Sequence, residues 1–102
     1  MNKLSSKQRS YLRSQAHHLE PVILIGKNGI TDGTIEAVNK ALNARELIKI
    51  KFRDFKDNKQ SISDEIASSA NCQVVGVIGH TVILFRQNSN PEKQNICLPG
   101  IK

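Results

Sequence analysis

Val22-Ile23-Leu24-Ile25-Gly26-Lys27-Asn28-Gly29-Ile30-Thr31-Asp32 is the stretch that decides the fold. Its four aliphatic residues, bounded by Pro21 and Gly26, are too few for a helix, so residues 22–25 read as a buried strand. Thr31 is a good N-cap, because its hydroxyl can accept from an unpaired backbone N–H, and Asp32 in the first turn complements the helix dipole. Ile30 before the cap and Ile35 within the helix make a hydrophobic staple. Ile35, Val38 and Leu42 then supply a core stripe, with Ala37 and Ala41 beside it, to about residue 43.

Upstream, Ser5 followed by Gln8 is a capping-box pattern. Tyr11, Leu12, Ala16 and Leu19 share one arc at about 100° per residue, which predicts a helix to about residue 18 that Pro21 ends. Downstream of residue 46 the period changes to two. Ile48, Ile50 and Phe52 face one way and Lys49, Lys51 and Arg53 the other, predicting a strand with one buried and one basic face. A third helix is expected from near residue 57 to 70, carrying Ile62, Ile66 and Ala70. Residues 73–78 and 81–86 are β-rich runs joined through Gly79-His80, a hairpin signal. The order is αβαβαββ, an α/β two-layer sandwich with a four-stranded mixed sheet and helices on one face. Residues 1–87 form the expected domain. The Gln-, Asn-, Ser- and Pro-rich residues 88–102 read as a flexible tail, with a short edge strand at Ile96, Cys97 and Leu98 as the alternative.

The 102 residues suit a single domain, and fifteen Lys plus Arg against nine Asp plus Glu give a net charge of +6. The four-residue aliphatic run is far short of the roughly 20 apolar residues that span a bilayer. With no apolar segment after the basic N-terminus to act as a secretory signal, a cytoplasmic protein is expected. Two cysteines and three histidines show no metal-ligand spacing, and His17 and His18 point apart on a helix, so neither a metal nor a disulfide framework is expected. No Ser-His-Asp or Cys-His arrangement is suggested by local motifs, and carboxylates are scattered singly, which argues against an enzyme.

A pI near 9.6 fits a polyanion binder as well as a lysine-solubilised domain, so the placement of charge must decide. The Gly26-Lys27-Asn28-Gly29 turn feeds a helix N-terminus, where unpaired N–H groups and the dipole favour an anion. Lys27 adds a charge at the tip, Asn28 an amide and Thr31 a hydroxyl. G-x-x-G loops in this setting clamp nucleic-acid backbones in KH domains. The P-loop signature G-x-x-x-x-G-K-[ST] is absent, since Ile30 and Thr31 follow the second glycine, and so is G-x-G-x-x-G. Two further basic groups are Lys7, Arg9, Arg13 and His17 on the first helix, and Lys49, Lys51 and Arg53 on the strand. Three clusters with few compensating acids fit a phosphate-tracking surface. Aromatic residues are scarce, which disfavours a stacking sheet and points to recognition by backbone and shape.

Leu12-Arg13 with Ala16-His17-His18-Leu19-Glu20-Pro21, followed by Val22 and the Gly26-Lys27-Asn28-Gly29-Ile30-Thr31 segment, resembles the start of a CRM domain (chloroplast RNA splicing and ribosome maturation). Ala41-Leu42 with Glu46-Leu47-Ile48-Lys49-Ile50, and the closing Ile78-Gly79-His80-Thr81-Val82-Ile83-Leu84-Phe85-Arg86, extend the resemblance over roughly residues 4–86. Arg45, His80 and Phe85 stand where the family more often has His, a basic residue and Tyr. The resemblance implies a KH-like fold, RNA as ligand, and a site at the 26–29 loop with its basic neighbours. A lone copy looks like the bacterial stand-alone type associated with precursor large ribosomal subunits. The expectation is therefore a monomeric, non-enzymatic, cofactor-free RNA-binding protein that holds ribosomal RNA during ribosome assembly. The alternative is a protein-interaction module docking a ribosomal or assembly protein.

Overall fold

In the computed structural model the described residues are 4–54, 56–88, 90, 92 and 94. The alternative edge strand at Ile96, Cys97 and Leu98 lies outside them. The elements follow the expected order: α1 (Ser6–Ala16), β1 (Ile23–Ile25), α2 (Asp32–Arg45), β2 (Leu47–Phe52), a 3-10 turn (Lys56–Asn58), α3 (Lys59–Ala70), β3 (Gln73–Ile78) and β4 (Thr81–Phe85). The sheet order is β1-β2-β4-β3, with β1 parallel to β2 and the other pairs antiparallel.

The helix starts form as their sequences dictate. Ser5 Oγ accepts from the Gln8 N–H at 3.1 Å while Gln8 Oε1 accepts from the Ser5 N–H at 3.0 Å, closing the capping box of α1. Thr31 and Thr34 exchange the same pair of bonds at the start of α2. At the hairpin, Gly79 takes φ +60 in the first of two turn positions, as a type II′ turn requires.

Alternation along β2 assigns the two faces of the sheet. Ile48, Ile50 and Phe52 are buried with Val82 and Leu84 against Val38 and Leu42 of α2 and Ile66 and Ala70 of α3. On the opposite face, Leu47, Val75, Ile83 and Phe85 are buried with Leu4, Leu12 and Ala16. Helices thus pack on a four-stranded mixed sheet as expected, but α1 was expected on the same face as the others and lies on the other one. An amphipathic pattern marks which side of a helix is buried, and is silent about which face of the sheet buries it.

The strand at residues 22–25 is less buried than its run of aliphatic residues predicts. β1 is an edge strand, and only Ile25 is fully buried, while Val22 and Leu24 are 41% and 55% exposed. β3 contains a bulge: Val74 pairs with Leu84 and Gly76 with Ile83, leaving Val75 as the extra residue. Glu46 closes α2 with φ 65 and is fully buried. Its N–H donates to Leu42 O, its carbonyl accepts from Arg86 N at 2.9 Å, and its Oε2 accepts from Asn88 N at 2.6 Å. One residue therefore joins the end of α2 to the chain leaving β4.

Candidate nucleic-acid interface

The ends of β1 and β2 build the loop. Ile25 O accepts from the N–H of Arg53 at 2.9 Å and of Asp54 at 3.2 Å, so the chain entering the 26–29 turn is fixed beside Arg53. The turn closes with Gly29 N donating to Gly26 O at 3.0 Å. Its two glycines differ in kind. Gly29 has φ +63, a conformation that L side chains adopt only at a cost. Gly26 does not have a positive φ, and a Cβ built there meets nothing within 4 Å. The fold itself makes no demand for glycine at position 26, so the space beside it is open to a ligand.

Lys27 and Asn28 are exposed at the tip of the turn. Thr31 is the N-cap its position predicts: its hydroxyl accepts from Thr34 N, so that oxygen and one N–H at the start of α2 are already engaged. The exposed Asp32 in the first turn further narrows that end as an anion site.

The basic residues divide into two sets. Lys7, Arg13, Lys51 and Arg53 are exposed. Arg13 reaches across β3, where a Cβ on Gly76 would come within 3.1 Å of its Nε. His17 is exposed and packs edge-on against His18, with ring centroids 5.2 Å apart. Arg9 is half-buried instead, and its Nη1 donates to Val74 O and Val75 O at 3.2 and 3.3 Å. Lys49 is also half-buried and donates to Leu19 O at 3.1 Å. These two cations hold the β3 bulge and the segment after α1, so the basic strand face comes down to Lys51 with Arg53 just past the strand end.

Two more cations, missed as sites in the sequence, brace the fold. Lys59 donates to Gly79 O at the hairpin tip and lies 3.5 Å from His80 Nδ1. Arg86 donates through Nη1 to Asn39 Oδ1 and Ala70 O at 2.7 and 2.6 Å, and through Nη2 to Asn39 O and Asn43 Oδ1 at 3.2 and 3.0 Å. Its place at the end of a β-rich run shows its charge but not its partners, which lie on α2 and at the end of α3.

Charge is segregated between layers. No Asp or Glu occurs in residues 1–19, 21–31, 47–53 or 66–91, which include α1 and every strand. Asp32, Glu36, Asp64 and Glu65 lie on α2 and α3, where Glu36 pairs with Lys40 at 3.7 Å. The face carrying α1 is therefore cationic, and the opposite layer is close to balanced. Among the described residues, no group of three or more His, Cys, Asp or Glu side chains is placed to hold a metal ion, and no helix is long and apolar enough to cross a membrane.

Comparison with known proteins places this architecture. The family model for the CRS1 / YhbY (CRM) domain matches residues 4–86. The chain belongs to the CRM domain family. This CRM domain is 36% identical to the probable RNA-binding protein YqeI of Bacillus subtilis (strain 168), over 94% of this chain and 99% of that one. It is 39% identical to an RNA-binding protein of Haemophilus influenzae, over 97% of this chain and 98% of the other. Its fold is similar to the solution structure of Staphylococcus aureus SAV1595, with a TM-score of 0.79, 33% identity, and coverage of 95% of this CRM domain and 100% of that chain.

Proposed function

We propose that this CRM domain binds ribosomal RNA in precursor large ribosomal subunits during their assembly, as a cytoplasmic monomer that does no catalysis. The observation that carries the reading is the segregation of charge: exposed Lys7, Arg13, Lys51 and Arg53 on or beside a layer whose helix and strands hold no carboxylate. A phosphate backbone is held by the Gly26, Lys27, Asn28 and Gly29 turn, with Arg53 beside it, and the RNA continues over the cationic face. Family membership and relatives named for RNA binding support the ligand class. Residues 88–102 lie outside the RNA-binding unit in this reading.

The test is a titration against a structured large-subunit ribosomal RNA fragment at several salt concentrations. Affinity should fall log-linearly with salt, and Lys27→Gln should lower the slope by about one. Lys27→Asp with Asn28→Asp should abolish most binding, because two carboxylates would stand where a phosphate approaches, while circular dichroism stays that of the parent. A folded double variant that binds like the parent reduces the loop to a turn. A shallow salt dependence would favour the protein-docking alternative.

A further inference from the structure

The sheet face that carries α1 is only partly covered by it, as three transverse rows of residues show. In the first, Leu47 lies opposite Phe85, and both are buried beneath α1. In the second, Lys49 lies opposite Ile83 and Ile83 opposite Gly76; Ile83 is buried, Lys49 is bonded to Leu19 O and Arg13 crosses Gly76. The third row runs across all four strands: Leu24 opposite Lys51, Lys51 opposite Thr81, Thr81 opposite Ile78. It is the least covered of the three. Leu24 is 55% exposed and Ile78 57% exposed, and Lys51 between them is exposed as well.

Strands in a sheet lie about 4.8 Å apart, so three spacings put the two aliphatic ends of this row roughly 14 Å from each other. That spacing, with an ammonium in the middle, is a poor match to a protein partner, which needs a contiguous apolar patch. It suits a strand whose flat apolar groups alternate with anions. The row also adjoins the loop, since Leu24 precedes Gly26 by two residues and Lys51 precedes Arg53 by two. No strand carries a carboxylate to repel a phosphate.

Resting on the RNA-binding reading above, we propose that the row Leu24–Lys51–Thr81–Ile78 receives unpaired bases of the RNA whose backbone the 26–29 turn holds. Base faces lie against Leu24 and Ile78, Lys51 meets the intervening phosphate, and the Thr81 hydroxyl is available to a base edge. The aliphatic ends cover base faces without aromatic stacking, so the preference is for single strands over duplex and carries little sequence information. A duplex hides its base faces and offers these side chains only sugar and phosphate.

The experiment compares oligouridylate with a blunt RNA duplex of the same length, using the full chain. Leu24→Thr and Ile78→Thr keep strand-favouring side chains. Each should weaken single-strand binding about fivefold, and together about twentyfold, from lost apolar contact. Duplex affinity and the salt slope should stay those of the parent. If the double threonine variant binds oligouridylate as the parent does while Lys27→Asp/Asn28→Asp has lost binding, the row is idle and the loop reading stands. If neither variant loses affinity, both readings fall. Equal losses on strand and duplex would overturn base contact, as would unchanged RNA affinity with lost binding to a ribosomal protein. Should the threonine variants melt early, a photocrosslinking side chain at position 24 or 78 decides: adducts on bases support the row, and their absence overturns it.

Discussion

Gly26→Ala separates what the fold needs from what a ligand needs. Position 26 does not have a positive φ, and no heavy atom lies within 4 Å of a Cβ built there, so alanine enters without strain. Its effect on the free protein comes through the unfolded chain, which loses conformational freedom. The expected gain is about 0.4–1 kcal/mol, raising Tm by roughly 2–6 °C for a domain of this size. The new methyl occupies the space beside the turn where a phosphodiester would approach, and RNA affinity should fall on the order of tenfold, or about 1.4 kcal/mol. Gly29→Ala is the contrast, since its φ of +63 makes the fold pay about 1–2 kcal/mol. Thermal melts and RNA titrations on both variants read the two quantities separately. A Gly26→Ala protein that is more stable and binds undiminished would refute the idea that this glycine makes room for a ligand. One that melts earlier than the parent would refute the geometry.

Two other outcomes follow from groups outside the loop. Arg86→Met removes four hydrogen bonds to Asn39, Asn43 and Ala70, and should cost about 2–4 kcal/mol in urea denaturation while leaving RNA affinity within about twofold at temperatures where the variant is folded. Burial raises the Cys72 thiol from 9.0 to about 11, against a smaller opposing effect of Arg86. Above pH 9 the unfolded thiol ionises while the folded one stays neutral, so this group's contribution to stability is lost between pH 9 and about 11. In a Cys97→Ser background, alkylation of Cys72 at neutral pH should be far slower than that of a free thiol, and unfolding should abolish the difference.

Signals confined to one segment were legible in the sequence. The capping residues Ser5, Gln8 and Thr31, the buried Ile48, Ile50 and Phe52, and the Gly79-His80 hairpin all appear where local chemistry puts them. What depended on partners was not legible. Four aliphatic residues look alike in a central or an edge strand, and the register that exposes Leu24 is fixed by Lys51 on another strand. Arg9, Lys49, Lys59 and Arg86 show their charge in the sequence, but the carbonyls that occupy them lie 16 to 66 residues away. Of the basic candidates, Lys7, Arg13, Lys27, Lys51 and Arg53 are exposed, and the separation rests on packing that no motif records.

The unequal charge of the two layers also bears on how quickly a complex forms. A molecule with cations on one side and a nearly charge-balanced layer on the other is an electric dipole, and a polyanion exerts a torque on it before any contact. At physiological ionic strength that torque acts over about 8 Å, the Debye length, which is enough to reorient a small domain in its last approach. Collisions then arrive with the α1 face already turned inward, so fewer are wasted. Such pre-alignment acts on the association rate and leaves dissociation largely to the short-range contacts. The same six-unit surplus of charge, spread evenly over the surface, would attract RNA but would not aim the protein.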